Sequence, residues 1–187
     1  MISNVSEREE LAAWYEQITR LEGLVAIGEG KAAVDQIRRQ VNAARVNPPA
    51  DALTFVRTLS QYARILESMD ALAEAEFIWT EALEAAVDAR IENRDAVDAF
   101  LYYGLLLIKM HNYDGAVAKL DEALKRAERL EWSKEIDREI TLARAWRGKA
   151  QAFEALGEFS QASGALDVLM NVKRQIRFIV FAASTEG

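Results

Sequence analysis

The chain has 187 residues, 51% of them apolar, with 30 acidic against 23 basic side chains and a net charge of -7. That length and composition bury a core without covalent staples and fit one domain or one short repeat array, while the acid excess argues against general attraction to nucleic acid or an anionic membrane. No cysteine occurs, which removes disulfides, thiolate catalysis and cysteine-held zinc.

The first ten residues, MISNVSEREE, lack the basic flank and apolar stretch of a secretory signal. No window approaches the roughly 20 apolar residues of a membrane span, so a soluble cytoplasmic protein is expected. Ser6-Glu7-Arg8-Glu9 has the form of a capping box and opens a helix to about Leu24. Gly28 and Gly30 interrupt it, and a second helix from Lys31 carries Val34, Ile37 and Val41 on one face. Asn47-Pro48-Pro49 closes that segment, with Pro49 at the first turn of a third helix that runs to about Ser68. Further helices follow over Asp70 to Ala89, Asn93 to Met110 and Asn112 to Leu130. Ser133 then reads as the cap of a helix to Leu156, Gly157 as the left-handed residue past its end, and Glu158 as the start of the last helix. Short connections set consecutive helices antiparallel.

Within these pairs a spacing recurs. Ala75, Ala116 and Ala162 open the second helices, each after an apolar turn residue: Leu72, Tyr113 or Phe159. Four residues later come Trp79, Leu120 and Leu166, and three beyond those Ala82, Ala123 and Leu169. Twelve residues before each alanine stands a small one, Ala63, Gly104 or Ala150, flanked by Leu59, Phe100 or Trp146 and by Leu66, Leu107 or Phe153. The pattern is steric: two helices approach closely where one offers a small residue to receive the other's bulk.

These residues, most clearly FLYYGLLLIKMHNYDGAVAKLDEAL, then AWRGKAQAFEALGEFSQASGAL and LSQYARILESMDALAEAEFIWTEAL, resemble the tetratricopeptide-repeat (TPR) family over roughly residues 50–170. The steps of 41 and 46 residues between the alanines exceed the ~34 of an ordinary repeat, as in the extended variants of some motor light chains and bacterial regulators. Lys149 and Leu169 depart from the family pattern, and the first pair fits it poorly, with Gln17, Gly30 and Gln40 at packing positions. That pair reads as a degenerate or capping repeat. The resemblance implies an all-α fold, a right-handed α-solenoid of about four antiparallel helix pairs with a C-terminal capping segment. The expected organisation is one domain over 1–187, with pairs near 6–46, 50–90, 93–131 and 133–172 and a cap or tail over 173–187.

Little here points to catalysis. His111 is the only histidine, so it has no second imidazole or thiolate with which to build a transition-metal site, and a turn position in water is its simpler role. Phosphate-loop, nucleophile-elbow and zinc-protease motifs are missing. Adjacent acids such as Glu9-Glu10 and Asp121-Glu122 point about 100° apart on a helix and do not converge on a substrate. Neither an enzyme nor a cofactor nor a metal is expected. Trp79 and Trp146 fall at packing positions and read as core.

A solenoid binds along the surface lined by the first helix of each pair, and TPR proteins, by resemblance, hold a peptide or helix of another protein there. The inward positions are Arg57, Ser60, Gln61 and Arg64, then Asp98, Leu101, Tyr102, Leu105 and Lys109, then Arg144, Arg147, Gln151 and Glu154. Arginine forks suit carboxylates, so the expected partner is an acidic peptide or tail with an apolar anchor at Tyr102 and Leu105. Salt bridges to neighbouring carboxylates are the plainer role for the same arginines. The subgroup that clamps chaperone tails is not matched, since Ser60, Arg64 and Leu101 occupy its inward sites. The tail KRQIRFIVFAAS has two readings, a helix that caps the array or a segment that joins two copies into a homodimer. Two functions follow: an adaptor binding a partner in its groove, or a regulatory sensor closing on a small ligand or signalling peptide.

Overall fold

The computed structural model describes residues 16–46 and 51–185. The expected capping box and the Pro48-Pro49 break lie outside them. Among the described residues there are helices and no strand. Helix α1 covers residues 16–26. The others are α2 Gly30–Val46, α3 Ala52–Ser68, α4 Leu72–Asp88, α5 Arg94–Lys109, α6 Tyr113–Arg129, α7 Glu135–Ala155 and α8 Phe159–Thr185. The chain groups into two compact units, Met1–Ile91 with α1 to α4 and Glu92–Gly187 with α5 to α8.

Among the described residues, side-chain caps start α3, α5 and α6. Asp51 accepts from the backbone N–H of Leu53 and Thr54 at 3.0 Å each, Asn93 from Ala96 at 3.2 Å and Asn112 from Gly115 at 3.1 Å. Each satisfies a donor that the helix start leaves open. The cap expected of Ser133 does not form. The N-cap of α7 is Lys134, which makes no side-chain cap bond, because a lysine carries no acceptor.

The turns inside the pairs share one backbone device. Gly28, Asp70, His111 and Gly157 all have positive φ, between 60° and 84°, and each lies five residues before the alanine that opens the packing face of the second helix: Ala33, Ala75, Ala116 or Ala162. In every case the next residue's N–H donates to the carbonyl five back, Glu29 to Leu24, Ala71 to Leu66, Asn112 to Leu107 and Glu158 to Phe153, at 2.8 to 3.0 Å. This is the Schellman closure of a helix end. It fixes the angle between the helices of a pair, and it recurs in the first pair, whose packing residues look degenerate in sequence.

In unit 1, α3 packs on α4 around Leu59, Ala63, Leu66, Ala75 and Trp79, all buried. The Trp79 indole N–H donates to Glu67 at 2.9 Å, which satisfies its polar edge. The misfits of the first pair find one another: the Gln17 carbonyl accepts from Gln40 and from the Tyr62 hydroxyl, at 3.3 Å each.

In unit 2, α6 is the wedge. Leu120 is fully buried, and a Cβ added at Gly104 of α5 or at Gly148 of α7 would come within 2.9 Å of its side chain. The longer step before the last pair lies in α7, 21 residues against 16 in α5. Since the C-terminal turns keep register, the extra length is at its N-terminal end. There Arg94 reaches Asp137 at 3.0 Å and lies over the Trp132 ring.

Two expectations change. Leu166 holds the register of the buried Trp79 and Leu120 yet is 49% exposed, because among the described residues no helix packs over it as α5 and α7 pack over Leu120. The segment 173–187 is not a separate tail as far as it is described: α8 runs unbroken to Thr185, since no glycine or proline interrupts it after Gly164.

Candidate functional site

The first helices of the pairs carry the expected binding residues, and the structure sorts them into smaller sets. In unit 1, Gln61 and Arg64 of α3 face Glu22, Val25 and Ala26 of α1 across an open depression of about 520 Å³. Arg64 is exposed and engaged in an electrostatic or hydrogen-bonding interaction, and so is Arg57, whose charge acts on Asp51.

In unit 2 the pair that meets is Tyr102 and Arg144. The Arg144 guanidinium donates to the Tyr102 hydroxyl at 2.7 Å, joining the outer faces of α5 and α7. Beside them, Arg94 bridges Asp98 at 3.6 Å and Asp137 at 3.0 Å. Burial pushes the Asp98 carboxyl above its ordinary pKa, and the nearby charges of Arg94 and Arg144 only partly oppose that. The surface is therefore a row of cations held by hydroxyl and carboxylate partners: Arg144 is committed to a phenol, and Arg94 to two acids.

Leu101 leaves the set. It is 0% exposed because α5 is gripped by both α6 and α7, so most of its circumference is interior. Leu105 is half-buried and lies against Gly148, with Cδ2 within 2.9 Å of where a Cβ would sit. An apolar anchor would meet only its edge and the flank of Tyr102. Lys109 is exposed at the end of α5 and has a partner. Arg147 and Gln151 turn toward the last helix: with Glu154 they line one wall of a groove of about 390 Å³ whose other wall is Phe159, Ser163 and Leu166 of α8. Arg147 has no hydrogen bond or ion pair among the described residues.

His111 is exposed at its turn, with Nδ1 2.8 Å from the Tyr113 hydroxyl. Among the described residues no group of three or more His, Asp or Glu side chains could hold a metal ion, and no helix is long and apolar enough to cross a membrane. Sequence reasoning misses an apolar pocket of about 290 Å³ between α2 and α4, lined by Val34, Ile37, Val41, Leu66, Phe77 and Ile78 among others. Of its lining, Phe77 carries Arg45 over its ring, and Arg45 is paired with Glu81 at 2.6 Å. The helical face Val34, Ile37, Val41 was legible; that Phe77 stays half exposed beside it was not.

No protein-family model matches the chain, and no curated protein matches it. Solved structures do. The Rap protein complexed with competence and sporulation factor superposes with a TM-score of 0.63 at 15% identity, over 88% of this chain and 44% of that one. A kinesin light chain of Podosopora anserina with nearly identical TPR-like repeats gives a TM-score of 0.66 at 13% identity, over 87% and 75%. BtubC from P. vanneervenii gives 0.56 at 13% identity, over 94% and 86%. The chain spans less than half the length of the Rap protein. At these identities the likeness speaks for the fold, which is that of TPR-like repeat proteins.

Proposed function

We propose that this chain is a non-enzymatic protein-interaction module, a scaffold or adaptor that holds a peptide or helix of another protein against the first helices of its pairs. The observation that carries the reading is the shelf on α5 and α7: Tyr102 and Arg144 joined at 2.7 Å, with the exposed, unengaged Arg147 one turn further along α7. A half-buried aromatic ring and the edge of Leu105 on the α5 side, with a planar cation able to fork onto a carboxylate where α7 turns toward α8, suit an acidic segment with one apolar anchor. On unit 1, Gln61 and Arg64 line the depression opposite α1, and Arg64 and Arg57 already have partners.

The test is a pull-down with Arg64, Arg144 and Arg147 changed together to Glu. The expected result is loss of the captured partners; unchanged recovery at equal yield overturns the reading. Circular dichroism of the variant establishes that it is folded.

A second reading has one observation behind it: the Rap structure of this fold is a complex with a factor. On that reading the chain is a regulatory sensor that closes on a small ligand or signalling peptide. A sensor becomes more compact when its ligand arrives, whereas an adaptor binds with little rearrangement. Small-angle scattering with and without the bound molecule separates the two.

A further inference from the structure

We infer that the open edge of the last helix pair is a seat for an α-helix of another protein, one that presents a glycine or alanine followed by a lysine or arginine. The inference goes beyond the peptide shelf above and needs neither Tyr102 nor Arg144.

Unit 2 contains the filled version of this seat. Helix α7 lies against α5 and α6 with Gly148 pressed on Leu120 and Leu105, while the next residue, Lys149, donates from Nζ to Asp121 at 2.5 Å. The receiving dipeptide is Leu120-Asp121, four and five residues after Ala116. Helix α8 repeats it in the same register: Leu166-Asp167, four and five residues after Ala162. Among the described residues nothing covers this second copy. Leu166 is 49% exposed where Leu120 is 0%, and Asp167 is exposed with no hydrogen bond or ion pair among the described residues. Along the same side of α8, Phe159 is 70% and Met170 53% exposed, so the seat continues as an apolar stripe.

The opposite wall shows what kind of occupant fits. In the filled seat the α5 positions are Leu101, Leu105 and Ile108; their counterparts in α7 are Arg147, Gln151 and Glu154. A wall of leucine and isoleucine makes a permanent core, whereas an arginine, a glutamine and a glutamate stay hydrated when the groove is empty. Interfaces that form and part have this mixed chemistry. The occupant is accordingly an amphipathic helix: its small residue over Leu166, its cation on Asp167, its flank toward α7 polar. Without the small residue the helix could not come close enough: even a Cβ at Gly148 needs the Leu120 and Leu105 methyls to shift, and a larger side chain would hold the helix off.

The probe is the chain's own template, a hydrocarbon-stapled peptide copying residues 135–155, its helicity verified by circular dichroism, labelled and titrated with the intact protein by fluorescence anisotropy. The expected result is saturable binding, weakened at least about tenfold, or about 1.4 kcal/mol, by Gly148→Leu in the peptide, by Leu166→Glu in the protein, or by Asp167→Lys in the protein. A peptide carrying Lys149→Asp restores binding to the Asp167→Lys protein. Absence of saturable binding by the helical peptide overturns the inference, and so does binding indifferent to Leu166→Glu and Asp167→Lys. A protein dimer dissolved by Leu166→Glu also overturns it, since the seat then belongs to a second copy.

Discussion

Gly148 of α7 lies so close to Leu120 of α6 that a Cβ on the glycine would stand 2.9 Å from Leu120 Cδ1. A Cβ on Gly104 of α5 would meet the same leucine at 2.8 Å from Cγ. The two clashes differ in kind: a terminal methyl moves with a small rotamer adjustment, whereas Cγ is the branch point, and moving it shifts the whole side chain. Gly104→Ala is therefore expected to lose stability, by about 1–2 kcal/mol, through overpacking. Gly148→Ala is expected within about 1 kcal/mol of the parent, because the gain in helix propensity offsets the smaller clash. Urea midpoints of the two variants, measured together, check the ordering.

The left-handed turn residues offer a second measurement. His111 and Gly157 occupy equivalent positions, with φ of 60° and 76°, yet only glycine adopts this region without a Cβ penalty. His111→Gly is expected to raise stability by about 0.5–1 kcal/mol, and Gly157→Ala to lower it by about 1 kcal/mol or more. Thermal melts read both. If His111 serves only its turn, His111→Gly also leaves partner capture unchanged.

Much of this framework is legible in the sequence for a physical reason: packing small against large is periodic, so Ala63, Gly104, Ala116 and Leu120 declare the pairs before any coordinate is seen. The misreadings are of another kind. Helical spacing gives the direction of a side chain but not what lies across from it. It places Leu101 on the binding face, although the double grip of α6 and α7 on α5 buries it. It places Leu166 in the core, although among the described residues no helix packs over it. Pairings between helices, such as Tyr102 with Arg144 or Gln17 with Gln40, lie across sequence distances that no local pattern encodes.

Lys149 stands where the repeat pattern calls for an apolar residue. Only 9% exposed, it pairs with Asp121 and rests its ammonium over the rings of Trp146 and Phe153, 4.6 and 5.5 Å from their centroids. Replacing a nearly buried ion by an apolar side chain of similar length costs little, because the desolvation penalty disappears with the charge. Lys149→Met is expected within about 1 kcal/mol of the parent. Lys149→Glu puts an uncompensated acid in that nearly buried position, facing the half-exposed Asp121, and is expected to cost about 3 kcal/mol. Denaturant titration of the two variants shows whether α7 is held by its packing or by the ion pair.

Asp51 and Asp98 should give opposite pH dependences. The side-chain hydrogen bond from Thr54, with backbone bonds from Leu53 and Thr54, lowers the Asp51 pKa below 3.8 against the opposing effect of burial. The folded state thus binds that proton less readily than the unfolded chain. Its contribution is present above pH 3.8 and is lost as pH falls through the depressed folded value. Asp51→Ala should then cost about 1 kcal/mol at neutral pH, the usual worth of a cap, and less in acid. Asp98 is shifted upward from 3.8, chiefly by burial, so the folded state holds its proton more tightly than the unfolded chain. Stability falls as pH rises from 3.8 through the raised folded value, and the penalty then persists to neutral pH. Asp98→Asn removes the ionisation along with the Arg94 contact, and because the net shift is upward, the variant should gain on the parent as pH rises. Urea midpoints of the parent and both variants from about pH 2 to about pH 7 read the signs directly, Asp51 at the acid end and Asp98 above 3.8. A parallel loss in Asp51→Ala and Asp98→Asn at every pH would mean that both carboxylates act only through the contacts they make, with no difference in proton affinity between the folded and unfolded chain.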